Sequence, residues 1–431
     1  MLDKLKKIAG ITPNKVALYY KNENLTYQEL INEIEKCILK LQGLGIKKDT
    51  VVPLYMKTNF DLIITIFSLV TMKAVYVPIS TQEPTEKIKY ILNNLETNLL
   101  ITNTDDMKIS SLHPIKINDI STKGNQKINY KEMEDENLVY IMFTSGSTGN
   151  PKGVKITKSN LEYILDVMQE DYPVFENEKY ILSTPYGFDV SVIEIFGWIY
   201  GGGSLVLYEI DRSRNFRMLT DQIIEKKVTH LALSPSSLEV LINFTPKDVL
   251  DELNSILKYL MIAGEEFKAS LAKKTLKYLP DVQLSNLYGP TETTVYATKY
   301  MISNDFNGEY VPIGKLLKHV KIKITKSQGI DTDDIGEIWI GGAGVSKGYL
   351  IEDLNKDAFV YFDGVRYYRT GDFGKFLPDG NIKFLGRKDD QVQINGVRIE
   401  LKSIENAIEQ YNDMIISTKV LYFNNKLFCF Y

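Results

Sequence analysis

Apolar residues in the first third of the chain recur at two alternating periods. In TYQELINEIEKCILKLQGLG, Leu30, Ile31, Ile34, Cys37, Ile38 and Leu41 fall at helical spacing. Thr26 and Glu29 supply a capping-box signature at its start, and Gly43 and Gly45 stop it. The β-branched run TVVPLYM follows, then an apolar helix pattern from Asp61 to Met72 and the short strand VYVPI. PTEKIKYILNNL keeps helical period with Pro84 in its first turn, and NLLIT reads as a strand. Strands alternating with helices of this length predict a largely parallel sheet with helices on its faces.

The alternation resumes at LVYIMF (Leu138 to Phe143), a buried-strand run. The short run VKI and the helix pattern KSNLEYILDVMQEDY come next, and THLALSP and LKYLMIAG are further buried-strand candidates. From about Tyr310 the pattern changes to short strands with Gly and Asp-Gly turns, a β-rich layer or small barrel. The end carries the strand-like QVQINGVRIE, the helix LKSIENAIEQYN and the strands IISTKVLYF and KLFCFY. The fold class expected is α/β. A large N-terminal domain (1–387), with two α/β sheet subdomains and a β-barrel-like layer, precedes a small, incomplete α+β domain (388–431).

Composition narrows the function classes. The 431 residues exceed one ordinary domain, and 44% apolar with 25% charged residues is a globular balance. A net charge of −4 gives no basic field for nucleic acid. No run approaches the roughly 18 apolar residues of a membrane helix, and the N-terminus lacks the apolar stretch of a signal peptide. Cys37 and Cys429 form no CxxC pair, which fits a cytoplasmic, reducing setting.

Directly after LVYIM stands FTSGSTGNPKG. Glycines after a strand let backbone N–H groups face an anion. Thr144, Ser145, Ser147 and Thr148 add hydroxyl donors around Gly146 and Gly149, and Lys152 adds a point charge. A Walker loop is excluded, because Asn150 and Pro151 separate Gly149 from Lys152 and Gly153 stands where Ser or Thr is needed. A polar surface loop has the same composition.

The whole stretch resembles the signature loop of the adenylate-forming superfamily: acyl-CoA synthetases, luciferases and the adenylation domains of nonribosomal peptide synthetases. Five further motifs resemble that family in its order: LTYQEL at Leu25, NLYGPTETT at Asn286, GEIWIGGAGVSKGYL at Gly336, YRTGDF at Tyr368 and GRKDDQVQINGVRIELKSIE at Gly386. The resemblance implies attack of a carboxylate on the α-phosphate of ATP, loss of pyrophosphate and transfer of the acyl group to a thiol. It implies that Thr144 to Lys152 holds the β- and γ-phosphates. Glu292 would be a Mg²⁺ carboxylate and Thr291 an α-phosphate contact. Asn286 would read the adenine amino group beside Tyr288 and Gly289, Asp372 would accept the ribose hydroxyls, and Arg387 would reach the ribose. The position of Asp389 is the family's hinge between adenylation and thiol transfer.

Asp189 sets the substrate class. It lies inside the apolar stretch PYGFDVSVIEIF, and a buried acid needs a partner. By resemblance to the amino-acid activators' FDxS motif, it pairs with the substrate α-ammonium; a helix N-cap is the plain structural reading. The corresponding side-chain pocket is Val190, Ile193, Ala232, Met261, Ala263, Leu287, Val295 and Tyr296. It carries no charge, so a neutral, mainly apolar amino acid is expected. The expected partner is a phosphopantetheinylated carrier protein, as it is for the close variant, a D-alanine–carrier-protein ligase. Nucleic acid and membrane are not expected, and a monomer is expected rather than an oligomer. An acyl- or aryl-acid–CoA ligase and a nucleotide-binding relic are the alternatives.

Two departures stand out. The family's late catalytic lysine, in a PxxxxGK-type motif, has no counterpart after Glu405. Truncation, a shortened protein and impaired adenylation are its competing explanations. TMKAVYVP at Thr71 lacks the family's usual Gly-Gly pair, which bears on helix packing more than chemistry. His113, His230 and His319 have no metal-ligand spacing, and His230 reads as a satisfied core residue.

Overall fold

The structure is a computed structural model that describes residues 2–120, 134–145, 150–209, 216–326, 334–387, 391–394, 397–411, 418–423 and 426–431. The chain forms two compact units that interleave in sequence. The first comprises Met1–Met142, Lys155–Ala232 and Pro246–Leu260, and the second Phe143–Val154, Leu233–Thr245 and Met261–Tyr431.

Parallel sheet builds the first unit. Strands Val51–Tyr55 and Val75–Ile79 pair in parallel, joined by the helix Phe60–Met72. Ile101–Thr102 and Ile115–Lys116 extend that sheet on one side, and Leu138–Thr144 on the other, where Tyr76 faces Tyr140. NLLIT contributes only two strand residues. Pro84 is the N-cap of the helix Thr85–Asn94 rather than part of its first turn; it holds extended backbone there. Both bonds of the Thr26–Glu29 capping box are present on the helix Tyr27–Gly43. The helix Phe60–Met72 ends on Lys73 in the left-handed region, φ 60°, within the stretch that lacks the glycine pair. A side chain in that conformation costs about 1–2 kcal/mol.

A second path of strands in this unit runs His230–Leu233, Lys179–Leu182, Ser204–Leu207, Val16–Tyr20 and Glu23–Thr26. Its first four strands are parallel and the last closes a hairpin. The helix Val190–Gly197 is the crossover between Lys179–Leu182 and Ser204–Leu207. Phe196 packs on Phe67 and Trp198 on Tyr27, with ring centroids 5.3 and 5.7 Å apart.

The β-rich layer belongs to the second unit. Val320–Thr325, Gly336–Gly342 and Val365–Phe376 are antiparallel neighbours, and the long strand also pairs with Phe359–Phe362 and Ile382–Arg387. Ile324, Ile338, Ile340 and Ile382 form one buried cluster with Ala297 and Ile313. The hairpin of Gln283–Tyr288 and Thr298–Ile302 carries the YGPTETT turn. The chain ends in the strands Gln391–Ile394 and Val397–Glu400, the helix Leu401–Tyr411 and the pair Lys419–Phe423 and Lys426–Phe430. No helix among the described residues is long and apolar enough to cross a membrane.

His230 is a packed core residue of the first unit. Its ring lies between Tyr180 and Tyr259, with centroids 4.5 and 4.7 Å away. Nδ1 meets the Thr229 hydroxyl at 2.9 Å and Nε2 the Tyr172 carbonyl at 3.2 Å. Burial pushes its pKa down from 6.5 to about 4, against the attraction of Glu178; Lys258, paired with Glu178, pushes the same way as burial. The folded state therefore resists a proton that the unfolded chain takes up near pH 6.5. Stability from this residue is complete above pH 6.5 and is lost as pH falls toward 4. Urea unfolding from pH 7 to 4 is expected to show that decline, and His230→Phe to flatten it. An unchanged slope in the variant would contradict this account.

Candidate active site

In the second unit, a carboxylate ties together strands far apart in sequence. Asp372 and Arg387 face each other across an antiparallel pair, and Arg387 Nη1 reaches Asp372 Oδ1 at 2.5 Å and the Thr370 carbonyl at 2.9 Å. The Tyr288 hydroxyl donates to the other oxygen, Oδ2. Burial, then the Asp372 charge, hold the Tyr288 phenol well above its ordinary range, so it stays a donor. A carboxylate oxygen has two lone pairs, so such a group can take more than one donor. Asn286, buried on the same strand as Tyr288, donates its amide to the Pro312 carbonyl at 2.8 Å, which leaves Oδ1 as the acceptor end of the side chain.

Beyond Tyr288 the chain turns tightly. A Cβ on Gly289 would stand 2.6 Å from the Val295 carbonyl and 2.7 Å from the Tyr296 Cα, so only glycine fits. Thr291–Thr293 forms one turn of 3₁₀ helix, and Thr294 and Val295 follow with φ of 59° and 70°. Left-handed backbone at a β-branched residue is an outlier that the surroundings must enforce. Here the Thr294 hydroxyl is held by the Gly344 carbonyl at 2.6 Å. Glu292 is buried, and its Oε1 accepts the Tyr349 hydroxyl at 2.7 Å. The Lys152 ammonium lies 5.6 Å from the centre of the Tyr349 ring. Thr144 ends the strand Leu138–Thr144, and its buried hydroxyl has no partner among the described residues. That is a donor suited to a ligand oxygen. Ser145 is described next to it; Gly146, Ser147, Thr148, Gly149 and the hinge position Asp389 lie outside the described residues. A buried carboxylate held by a tyrosine whose ring also meets a lysine fits Mg²⁺ carried on phosphates, since that ion keeps waters and phosphate ligands and takes one or two carboxylates from protein.

The first unit places Asp189 at the start of the crossover helix, after the carboxyl end of the strand Lys179–Leu182, where open α/β sheets bind ligands. Asp189 occupies the N-cap position, yet its side chain makes no capping bond. Its charge acts on Tyr140, whose phenol is pushed up chiefly by burial, then by Tyr76 and Asp189. Val190 and Ile193 share the helix face one turn on. Ser183 links this loop to the Ala232 carbonyl at 3.2 Å.

Glu194 was not legible as a site residue. It is fully buried on that crossover helix and meets the Ser183 hydroxyl at 3.0 Å, the Thr184 hydroxyl at 3.1 Å and the Thr184 N–H at 3.1 Å. Burial pushes its carboxyl up to about 8, against the bonds donated by Thr184 and Ser183. The Ser183 hydroxyl donates toward Glu194 and also lies within hydrogen-bond reach of the Ala232 carbonyl. The sequence signal was an acid within VSVIEIF, five residues beyond Asp189. The remaining proposed lining residues are buried in the second unit. Met261 and Ala263 lie on the strand Tyr259–Ala263, Leu287 on Gln283–Tyr288, and Val295 and Tyr296 beyond the turn.

Residues 5–350 match the family described as AMP-binding enzyme. The chain is 36% identical over 411 residues to a linear gramicidin synthase of Brevibacillus parabrevis, covering 92% of this chain and 8% of that protein. It is 31% identical over 421 residues to the D-alanine–D-alanyl carrier protein ligase of Bacillus licheniformis, covering 95% of this chain and 83% of the other. It thus spans a small part of the large synthase and most of the ligase. Among solved structures, an artificially fused adenylation–PCP di-domain (NpsA-ThdA) from Klebsiella oxytoca superposes with a TM-score of 0.88 at 23% identity, over 99% of this chain and 87% of that one. That likeness bears on the fold.

Gly289→Ala is expected to destabilise the second unit by roughly 1–3 kcal/mol, the usual cost of overpacking. Urea unfolding measures it; a neutral result would mean that the turn relaxes freely.

Proposed function

Because this chain belongs to the AMP-binding enzyme family, we propose that it activates a neutral, mainly apolar amino acid with ATP and passes it to the phosphopantetheine thiol of a carrier protein. In the first step a substrate carboxylate oxygen bonds to the α-phosphorus, the bond to the bridging oxygen breaks, and pyrophosphate leaves. In the second, the thiol sulfur bonds to the acyl carbon, AMP leaves with the anhydride oxygen, and the thiol proton is released. The chain's contribution is positioning and charge stabilisation.

Asp372 and Arg387 receive the ribose in this reading, with Tyr288 and Gly289 beside the base and Asn286 Oδ1 accepting from the adenine amino group. Thr291 contacts the α-phosphate. The loop from Thr144 to Lys152 holds the outer phosphates and then the pyrophosphate. Glu292 is the protein's carboxylate for Mg²⁺, which offsets phosphate charge when bound. Asp389 is the proposed hinge.

The observation that carries the amino-acid reading is Asp189. A carboxylate that follows a strand's carboxyl end, and does not cap its own helix, supports a role as partner to an ammonium group. The uncharged set Val190, Ile193, Ala232, Met261, Ala263, Leu287, Val295 and Tyr296 supports a neutral side chain.

ATP–pyrophosphate exchange with the twenty amino acids and several fatty and aryl acids tests this. The best substrate is expected among the neutral apolar amino acids, and Asp189→Asn is expected to lower its kcat/KM roughly 100-fold or more. Exchange driven by an acid without an amino group would sink the role given to Asp189. Best activity with Asp, Glu, Lys or Arg would sink the pocket.

A further inference from the structure

Glu292 and Lys152 share one neighbour. Tyr349, buried on the short strand Gly348–Tyr349, gives its hydroxyl to Glu292 Oε1 at 2.7 Å and its ring to the Lys152 ammonium at 5.6 Å. The Tyr368 hydroxyl stands 3.4 Å behind it. Because the Tyr349 proton goes to Glu292, its oxygen is the acceptor toward Tyr368, so the donors run in one direction toward the carboxylate.

The backbone around Tyr349 is fixed to both partners. The Ser346 N–H donates to the Glu292 carbonyl at 2.9 Å, and the Leu350 N–H to the Gly153 carbonyl at 2.7 Å, one residue after Lys152. Arg366 donates to the Ser346 carbonyl and stacks on Phe359 at 4.1 Å. The Tyr349 N–H donates to Asn355 Oδ1 at 2.7 Å.

We infer that Tyr349 is a positioning residue for the phosphate end of the proposed site, setting a carboxylate through its hydroxyl and an ammonium through its ring. The inference rests on the proposed role of Glu292 toward Mg²⁺. The hydroxyl fixes the carboxylate rotamer and takes up one lone pair of Oε1, which favours ligation through one oxygen. The ring face attracts the ammonium and limits where it can swing.

Tyr349→Phe keeps the ring and removes the hydroxyl; Tyr349→Leu removes both. Pyrophosphate exchange is followed against free Mg²⁺, ATP binding is measured by calorimetry with and without Mg²⁺, and melting temperature is recorded. Tyr349→Phe is expected to raise the Mg²⁺ needed for half-maximal exchange about tenfold or more. It should shrink the gain in ATP affinity that Mg²⁺ brings and leave metal-free ATP binding unchanged. Tyr349→Leu should also weaken metal-free binding about two- to fivefold. Glu292→Gln separates the two levels. If it shifts the Mg²⁺ dependence and Tyr349→Phe does not, the inference fails and the reading of Glu292 stands. If Glu292→Gln leaves that dependence alone, the reading fails and takes the inference with it. A lower melting temperature with unaltered metal dependence would make Tyr349 a packing residue only, which also overturns the inference.

Discussion

The buried Asp372 carboxylate is the constraint on which the second unit's site depends. Its two oxygens hold Tyr288 from one strand and Arg387 from another, while its own N–H is held by the Thr370 hydroxyl at 2.9 Å. Three strands that are far apart or looped in sequence are brought to one charge. Such a pair is weak evidence of net stability, because desolvation offsets much of the attraction. Its value here is specificity of geometry: loss of either partner leaves a buried charge uncompensated. Tyr288 is thereby fixed immediately before the turn that carries Thr291 and Glu292, so the groups proposed for the ribose and for the phosphates share one frame.

Much of this arrangement was legible in the sequence, for local reasons. The capping box at Thr26 and the apolar periods of Tyr27–Gly43 and Lys158–Asp171 fix those helices through contacts a few residues apart. The strand ahead of FTSGSTGNPKG was equally plain, whereas the strands around YGPTETT were not read from the sequence. The Asp372–Arg387 pair was accessible only as two motif positions, since cross-strand register is not a local property. Glu194 and Tyr349 escaped for the same reason. An acid in an apolar helix and a tyrosine in GYL become informative only when Ser183, Thr184 and Glu292 are placed around them.

The proposed substrate acid and its neighbour show how environment divides two carboxyl groups on one short helix. Asp189 stands half-buried at the start, while Glu194 lies fully buried and is pushed toward neutrality by burial. The first suits a charge partner. The second suits a hydrogen-bond frame that holds Ser183, and through it Ala232, in place.

Thr294 and Val295 add a different kind of limit. Two successive side-chain-bearing residues with left-handed backbone make this turn costly in itself, and the hydroxyl grip on Gly344 keeps it closed. Val295 is therefore committed through its main chain as well as its side chain. If the proposed pocket holds the substrate, redesign of its choice would meet uneven ground: positions such as Ala232 or Met261 can be varied as shapes. A new residue at Val295 must first be one that tolerates the bend, which narrows the paths by which selectivity can drift.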